Sequence, residues 1–229
     1  MNKRKVAFFD VDGTIFRSSL LIQVTDRLIE TGAFPEPARR EYADLEAKWL
    51  DRKGDYEAYI MAVVAAFMKH IKGISYSVLA DVAEEIGNEQ KSRIYQFTRD
   101  LVRDLCRKKY YLVAISQSPK TVLEPFCKAM GFNKTYGRLY ELGPTNKFTG
   151  EVLDLHLIAN KANIVKRVVE KENLTLKGSI AVGDTEGDIP MLELVERPIC
   201  FNPNQKLYKW AKRNKAEIVV ERKDVIYKL

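Results

Sequence analysis

The chain reads as an α/β protein, a doubly wound parallel sheet of Rossmann-like type with an all-helical insert. Three observations predict this. Short, predominantly apolar runs at 6–9, 111–115, 179–182 and 198–201 lack polar alternation, as strands covered on both faces do. Stretches of helical periodicity separate the later runs, which implies parallel pairing through crossover helices. Between the first and second runs, residues 17 to 90 carry helical periodicity and no strand signal.

The elements follow in order. Val6-Ala7-Phe8-Phe9 forms the first strand. Residues 18–31 have helical spacing and stop at Gly32. Pro35 and Pro37 suit the start of a second helix that reaches about Leu50. A third helix spans 55–70 with Ile60, Val63, Val64 and Phe67 on one face; Gly73 breaks it, and 75–86 makes a fourth. A long helix over about 89–109 leads back to the strand at 111–115. Helix 121–130, a short region around 136–142 and a small hairpin or turn at 147–152 come next. Helix 161–172, strand 179–182, helix 188–195, strand 198–201, helix 205–214 and strand 217–220 complete the pattern. The expected organisation is a core of residues 1–16 and 90–229 interrupted by a helical cap of residues 17–89.

Composition narrows the function classes. The 229 residues, 46% hydrophobic, supply a sizeable core. The longest apolar stretch, 60–68, falls far short of the roughly 20 residues a membrane span needs. The first apolar run meets Asp10 almost at once, unlike a signal peptide. Cys106, Cys127 and Cys200 are odd in number and scattered, as free thiols in a reducing cytoplasm are. The net charge of +7 is spread over amphipathic helices such as 206–213 rather than gathered in a recognition motif, so no nucleic acid partner is expected. A monomer and a homodimer are equally compatible with the sequence.

Chemistry concentrates in four places. Asp10-Val11-Asp12-Gly13-Thr14 directly follows the first strand, at the end where open α/β sheets place ligands. Two carboxylates two residues apart on extended chain project to the same side, and the glycine frees the turn and its amides. A second acidic cluster, Gly183-Asp184-Thr185-Glu186-Gly187-Asp188, follows the strand at 179–182. Between them, Ser116 ends a strand and Lys161 opens a helix.

In this order, from Asp10 to Asp188, the four resemble the signature motifs of the haloacid dehalogenase superfamily of phosphohydrolases. The helical insert and Ser116-Gln117-Ser118-Pro119 look most like its phosphoserine-phosphatase-like branch, subfamily IB. The resemblance implies a Mg²⁺-dependent phosphatase that hydrolyses a small phosphorylated metabolite through a covalent aspartyl-phosphate. It implies that Asp10 is the nucleophile and a metal ligand, and that Asp12 is the general acid and base, with its main-chain carbonyl on the metal. Gly13, Thr14, Ser116, Gln117 and Lys161 would surround the phosphoryl group, and Asp184 would complete the metal site. Asp188 would orient a metal-bound water or Lys161, cap the helix it opens, or do both. Glu186 reads as a loop carboxylate. His70 and His156 lie outside every motif, which argues against a histidine-based phosphatase.

Phosphoserine phosphatase proper and a phosphotransferase using the same intermediate remain open. So does a phosphate-ligand or nucleic-acid binding module that kept the fold. Phosphoserine phosphatases carry a cap glutamate soon after the first motif, where this chain has Ser18, Ser19 and Leu20 and no glutamate before Glu30. Residues 60–72 lack the expected carboxylate-clasping arginine, and Gln117-Ser118-Pro119 replaces a glycine-rich turn. The expectation is retained chemistry with L-phosphoserine a poor substrate. Of the cap aromatics Phe34, Trp49, Tyr56, Tyr59 and Phe67, most read as helix packing rather than pocket.

Overall fold

The computed structural model describes residues 3–90 and 92–229. Residues 1 and 2 of the expected core, and Lys91 of the expected helix 89–109, lie outside the described residues.

Strand β1 (Arg4–Asp10) is followed by four helices, α1 (Leu20–Glu30), α2 (Arg40–Leu50), α3 (Tyr56–Ile71) and α4 (Tyr76–Gln90), and then by α5 (Gln96–Arg107). The chain continues through β2 (Tyr111–Pro119), α6 (Lys120–Ala129), β3 (Lys134–Leu142), β4 (Phe148–Leu153), α7 (Leu155–Ile158) and α8 (Lys161–Lys171). β5 (Leu174–Gly183), α9 (Ile189–Leu192), β6 (Arg197–Phe201), α10 (Gln205–Asn214), β7 (Glu217–Arg222) and β8 (Val225–Lys228) complete it.

One sheet has the order β4-β3-β2-β1-β5-β6-β7-β8, parallel from β3 to β7 and antiparallel at both outer pairs. Side chains alternate along each inner strand, and both faces are covered. Phe9, Ala114, Val182 and Phe201 join one apolar cluster with α1, α3, α4 and α6, while Phe8, Val113, Ala181 and Cys200 join a second with α8, α9 and α10. Leu20, Val24 and Leu28 of α1 therefore share a core with the sheet. Connections run one way from β1 to β2 and β3, and the other way through β5 to β7, so the topological switch point falls at β1 and β5. Open α/β sheets bind ligands at such a point, beyond the carboxyl ends of the strands.

Several expected boundaries move. The expected helix 89–109 is interrupted: residues 92–95 are not helical, and α5 starts at Gln96, where the Glu221 carboxylate accepts the Gln96 and Phe97 amides. The unassigned region around 136–142 is strand β3, whose apolar pattern is weak because most of it is half-buried. The second acidic cluster ends in a 3₁₀ turn over Glu186–Asp188 and only then enters the short α9. Pro35 leads into a 3₁₀ turn, Glu36–Arg39, ahead of α2. α7 and β8 lack the periodicity that would have marked them. Among the described residues, no helix is long and apolar enough to cross a membrane.

Candidate active site

Asp10 is the last residue of β1 and lies in register with Ile115 of β2, which brings Ser116 beside the first motif. Its carboxylate is buried; Oδ1 accepts Lys161 Nζ at 2.5 Å, and Oδ2 has no hydrogen-bond partner among the described residues. Lys161 opens α8, whose start is fixed by the Asn160 side chain accepting the Ala162 amide at 2.9 Å. The same ammonium donates to Asp188 Oδ1 at 2.5 Å, so one cation bridges two buried carboxylates.

The second acidic loop is tied by Asp188. Its Oδ2 accepts the amides of Asp184 at 2.9 Å and Thr185 at 3.1 Å, forming a capping box with Thr185. The cap expected of Asp188 differs: it makes no side-chain cap bond at α9, the helix it precedes, and instead closes the 3₁₀ turn as the third residue after the Thr185 N-cap, while its other oxygen holds Lys161. A side chain on Gly183 would run into Asp188, which requires glycine at the strand end. Gly13 has φ +83°, and a Cβ there would overlap the Asp184 carboxylate. Thr14 donates its hydroxyl to Asp184 Oδ1 at 3.3 Å.

Asp12 connects the site to the helical insert. Oδ1 accepts the Leu20 amide at 2.5 Å, and Oδ2 accepts the hydroxyls of Ser116 and, at 2.8 Å, Ser118. Ser118 Oγ in turn accepts the Leu21 amide at 3.1 Å. Ser19, the N-cap of α1, makes no side-chain cap bond, so Asp12 and Ser118 satisfy the first two amides of the helix.

Asp10, Asp12, Ser116, Gln117, Lys161 and Asp184 line one cavity of about 490 Å³. Tyr56, Ile60 and Val64 of α3 and Arg138 of β3 also line it. Phe34, Tyr59 and Phe67 are packed in the core, as expected of most cap aromatics, but Tyr56 is a pocket residue. Gly13 does not present a free amide: its N–H donates to the carbonyls of Phe16 at 2.9 Å and Ser18 at 3.0 Å, because the loop closes on itself. Its requirement is close approach to Asp184. The Gln117 side chain bonds the Ile158 carbonyl and Arg138. Glu186 pairs with Lys206 at the cavity wall.

Ser118 and Arg138 were not singled out from the sequence. The Ser116-x-Ser118 spacing on one strand face was a usable signal for the first, whereas Arg138 lies where no strand pattern stood out. A larger cavity of about 720 Å³ between α4, α5 and α6 contains none of these motif residues.

Burial dominates the electrostatics. It pushes the Asp10 carboxyl up from 3.8 to about 7, with Asp188 and Asp12 adding to the rise against the pull of Lys161. Asp184 is raised well above the ordinary carboxylate range by burial and then by Asp10 and Asp188. Asp12 is raised by burial despite its hydrogen bonds from Ser116, Leu20 and Ser118. For Lys161, burial alone would lower the pKa, but Asp10 and Asp188 raise it.

Oxygens of Asp10, Asp184 and Asp188 lie within 4.8 Å of one another, facing a single ammonium. Two like charges about 4 Å apart cost roughly 4 kcal/mol at an effective dielectric near 20. The hard oxygen donors and the orphaned Asp10 Oδ2 fit Mg²⁺, which is commonly held by one or two carboxylates. Both oxygens of Asp188 are already engaged, which leaves Asp10 and Asp184 as the carboxylates to hold it.

Comparison with known proteins identifies the family and agrees with the fold. A family model for haloacid dehalogenase-like hydrolases matches residues 7–193. An inhibition of morphological differentiation protein from Streptomyces azureus is 25% identical over 211 residues, covering 89% of this chain and 74% of the relative. A phosphoserine phosphatase of Mycobacterium tuberculosis is 26% identical over 216 residues, covering 93% and 69%. Among solved structures, a Bordetella pertussis protein of unknown function aligns with TM-score 0.73 at 23% identity, covering 95% of this chain and 98% of that one. A phospho-aspartyl intermediate analogue of phosphoserine phosphatase aligns with TM-score 0.64 at 19% identity, covering 97% and 96%.

Proposed function

The chain belongs to the haloacid dehalogenase-like hydrolase family, and we propose that it is a Mg²⁺-dependent phosphatase acting on a small phosphate monoester through an aspartyl-phosphate. The observation that carries this is the free, buried Oδ2 of Asp10 in a cluster of carboxylates facing one ammonium. The relatives named as phosphoserine phosphatases support the same reaction class.

One carboxylate oxygen of Asp10 attacks phosphorus as the ester P–O bond breaks, and the leaving oxygen takes a proton from Asp12. Asp12, now ionised, takes a proton from water as the water oxygen attacks phosphorus. The bond from phosphorus to Asp10 breaks, inorganic phosphate leaves, and Asp12 is again protonated. The rise in the Asp12 pKa supports its holding that proton. Lys161 holds positive charge beside Asp10, fixed from behind by Asp188. The Ser116 hydroxyl, resting on Asp12, is a donor that can turn to a phosphoryl oxygen. Bound Mg²⁺, held by Asp10, Asp184 and the Asp12 carbonyl, would supply the charge that lets one anion approach another.

The test is hydrolysis of p-nitrophenyl phosphate with Mg²⁺ and with chelator, by the wild type and Asp10→Asn. Metal-dependent turnover that disappears in the variant is expected. Turnover that survives Asp10→Asn, or that ignores chelation, would rule out this mechanism.

A further inference from the structure

Arg138 is a cation for which the chemistry above has no use. It lines the same cavity as Asp10, Asp12 and Lys161. Among the described residues three cations line that cavity; Lys161 is paired with Asp10 and Asp188, and Lys206 with Glu186. Among the described residues, Arg138 has no carboxylate partner.

Its neighbour is neutral. Arg138 Nη2 donates to Gln117 Oε1 at 3.0 Å, and Gln117 Nε2 donates to the Ile158 carbonyl at 2.7 Å. That second bond turns the amide oxygen toward the guanidinium, which holds the fork without neutralising it. Among the described residues the buried Nε–H meets no acceptor in hydrogen-bonding geometry, and the neutral Tyr140 phenol is the other polar group near the guanidinium. Native proteins rarely leave a buried donor unmade, so such a group calls for an explanation, and an absent ligand is one. A guanidinium fork matches planar or tetrahedral oxyanions. The wall that α3 contributes through Tyr56, Ile60 and Val64 suits an uncharged segment.

We propose that Arg138 is a specificity-determining residue that binds a second acidic group, on the leaving-group side of the phosphate ester. This rests on the phosphatase reading above and deepens it. The substrate class is a phosphate monoester with an oxyanion at its far end, either a carboxylate or a second phosphate.

The experiment compares matched esters. One arm uses ω-carboxyalkyl phosphates of increasing chain length against their primary amides. The other uses alkanediol bisphosphates against the monophosphates of the same diols. At the best chain length, wild type should favour the acidic member by roughly tenfold or more in kcat/KM, mainly through KM. The arm that shows the preference identifies the oxyanion. Arg138→Met should bring the ratio close to one, and Arg138→Lys should keep part of it. Because each ratio is internal to one protein, partial loss of folded enzyme does not disturb it. If thermal unfolding shows that Arg138→Met is not folded, Arg138→Gln takes its place.

No preference at any length, or a preference that persists without the guanidinium, overturns the assignment. Hydrolysis of the neutral esters by wild type separates the two claims. If they are hydrolysed without acid preference, only the role of Arg138 falls. If no ester is hydrolysed with Mg²⁺ present, the phosphatase reading falls first.

Discussion

Asp188 holds Asp184 by the main chain: its Oδ2 accepts the Asp184 amide at 2.9 Å while its Oδ1 binds Lys161. One buried carboxylate thus sets the positions of a candidate metal ligand and of the ammonium beside Asp10.

Asp184→Asn should abolish Mg²⁺ stimulation. Asp188→Asn should weaken it by roughly 10–100-fold, as loss of a group that orients a ligand does. Mg²⁺ titration of activity in both variants decides this. Equal and complete loss in both would mean that Asp188 binds the metal itself.

Gly13→Ala removes no functional group, yet it should damage the site. Alanine at φ +83° is strained by more than about 1 kcal/mol, and its methyl would displace the Asp184 carboxylate. The expected result is a higher Mg²⁺ concentration for half-maximal activity together with a lower thermal midpoint. A variant with wild-type metal dependence would show that Asp184 moves aside freely.

Stability of the metal-free protein should fall as pH rises. The Asp10 carboxyl titrates at 3.8 in the reference state and about 7 when folded, so between those values the folded chain binds more protons than the unfolded one. The stabilisation is full below about 3.8 and is lost as pH passes about 7, with a slope of up to about 1.4 kcal/mol per pH unit for one group. Asp184 acts in the same direction. Mg²⁺ replaces those protons, so it should raise the thermal midpoint much more at pH 8 than at pH 5. Equal shifts at both pH values would refute the carboxylate site.

L-Phosphoserine should not exceed 3-phosphohydroxypropionate, the same skeleton without the ammonium group, in kcat/KM. The positions that follow the first motif, Ser18, Ser19 and Leu20, offer no carboxylate for an amino group. A tenfold lead for phosphoserine would show that the ammonium is recognised, with Glu57 on the cavity wall as the acid to mutate next.

The parts of this protein that were legible in its sequence are those governed by local pattern. Strands buried on both faces show as unbroken apolar runs, and Asp10, Asp12, Asp184 and Asp188 stand at strand ends and a helix start, where spacing alone places them. Contacts made across the sheet were not legible. Nothing local tells that Gly13 must make room for a residue 171 positions away, or that Ser118 would cap a helix of the insert. β3 was hidden because it is half-buried at one end of the parallel array, which dilutes its apolar signal and concealed Arg138 with it.

The position of β1 also bears on how the molecule comes into being. β1 lies between β2 and β5, with Asp10 opposite Ile115 and Phe9 opposite Val182. A chain emerging from its N-terminus therefore presents this strand long before either neighbour exists. Pairings so distant in sequence make for slow assembly, because loop closure must precede the contacts that reward it. Until β5 (Leu174–Gly183) has been made, Asp10 has no Asp184 beside it and Lys161 has no Asp188. A nascent chain thus carries the proposed nucleophile first, and the cluster around it stays incomplete until the last third of the fold arrives.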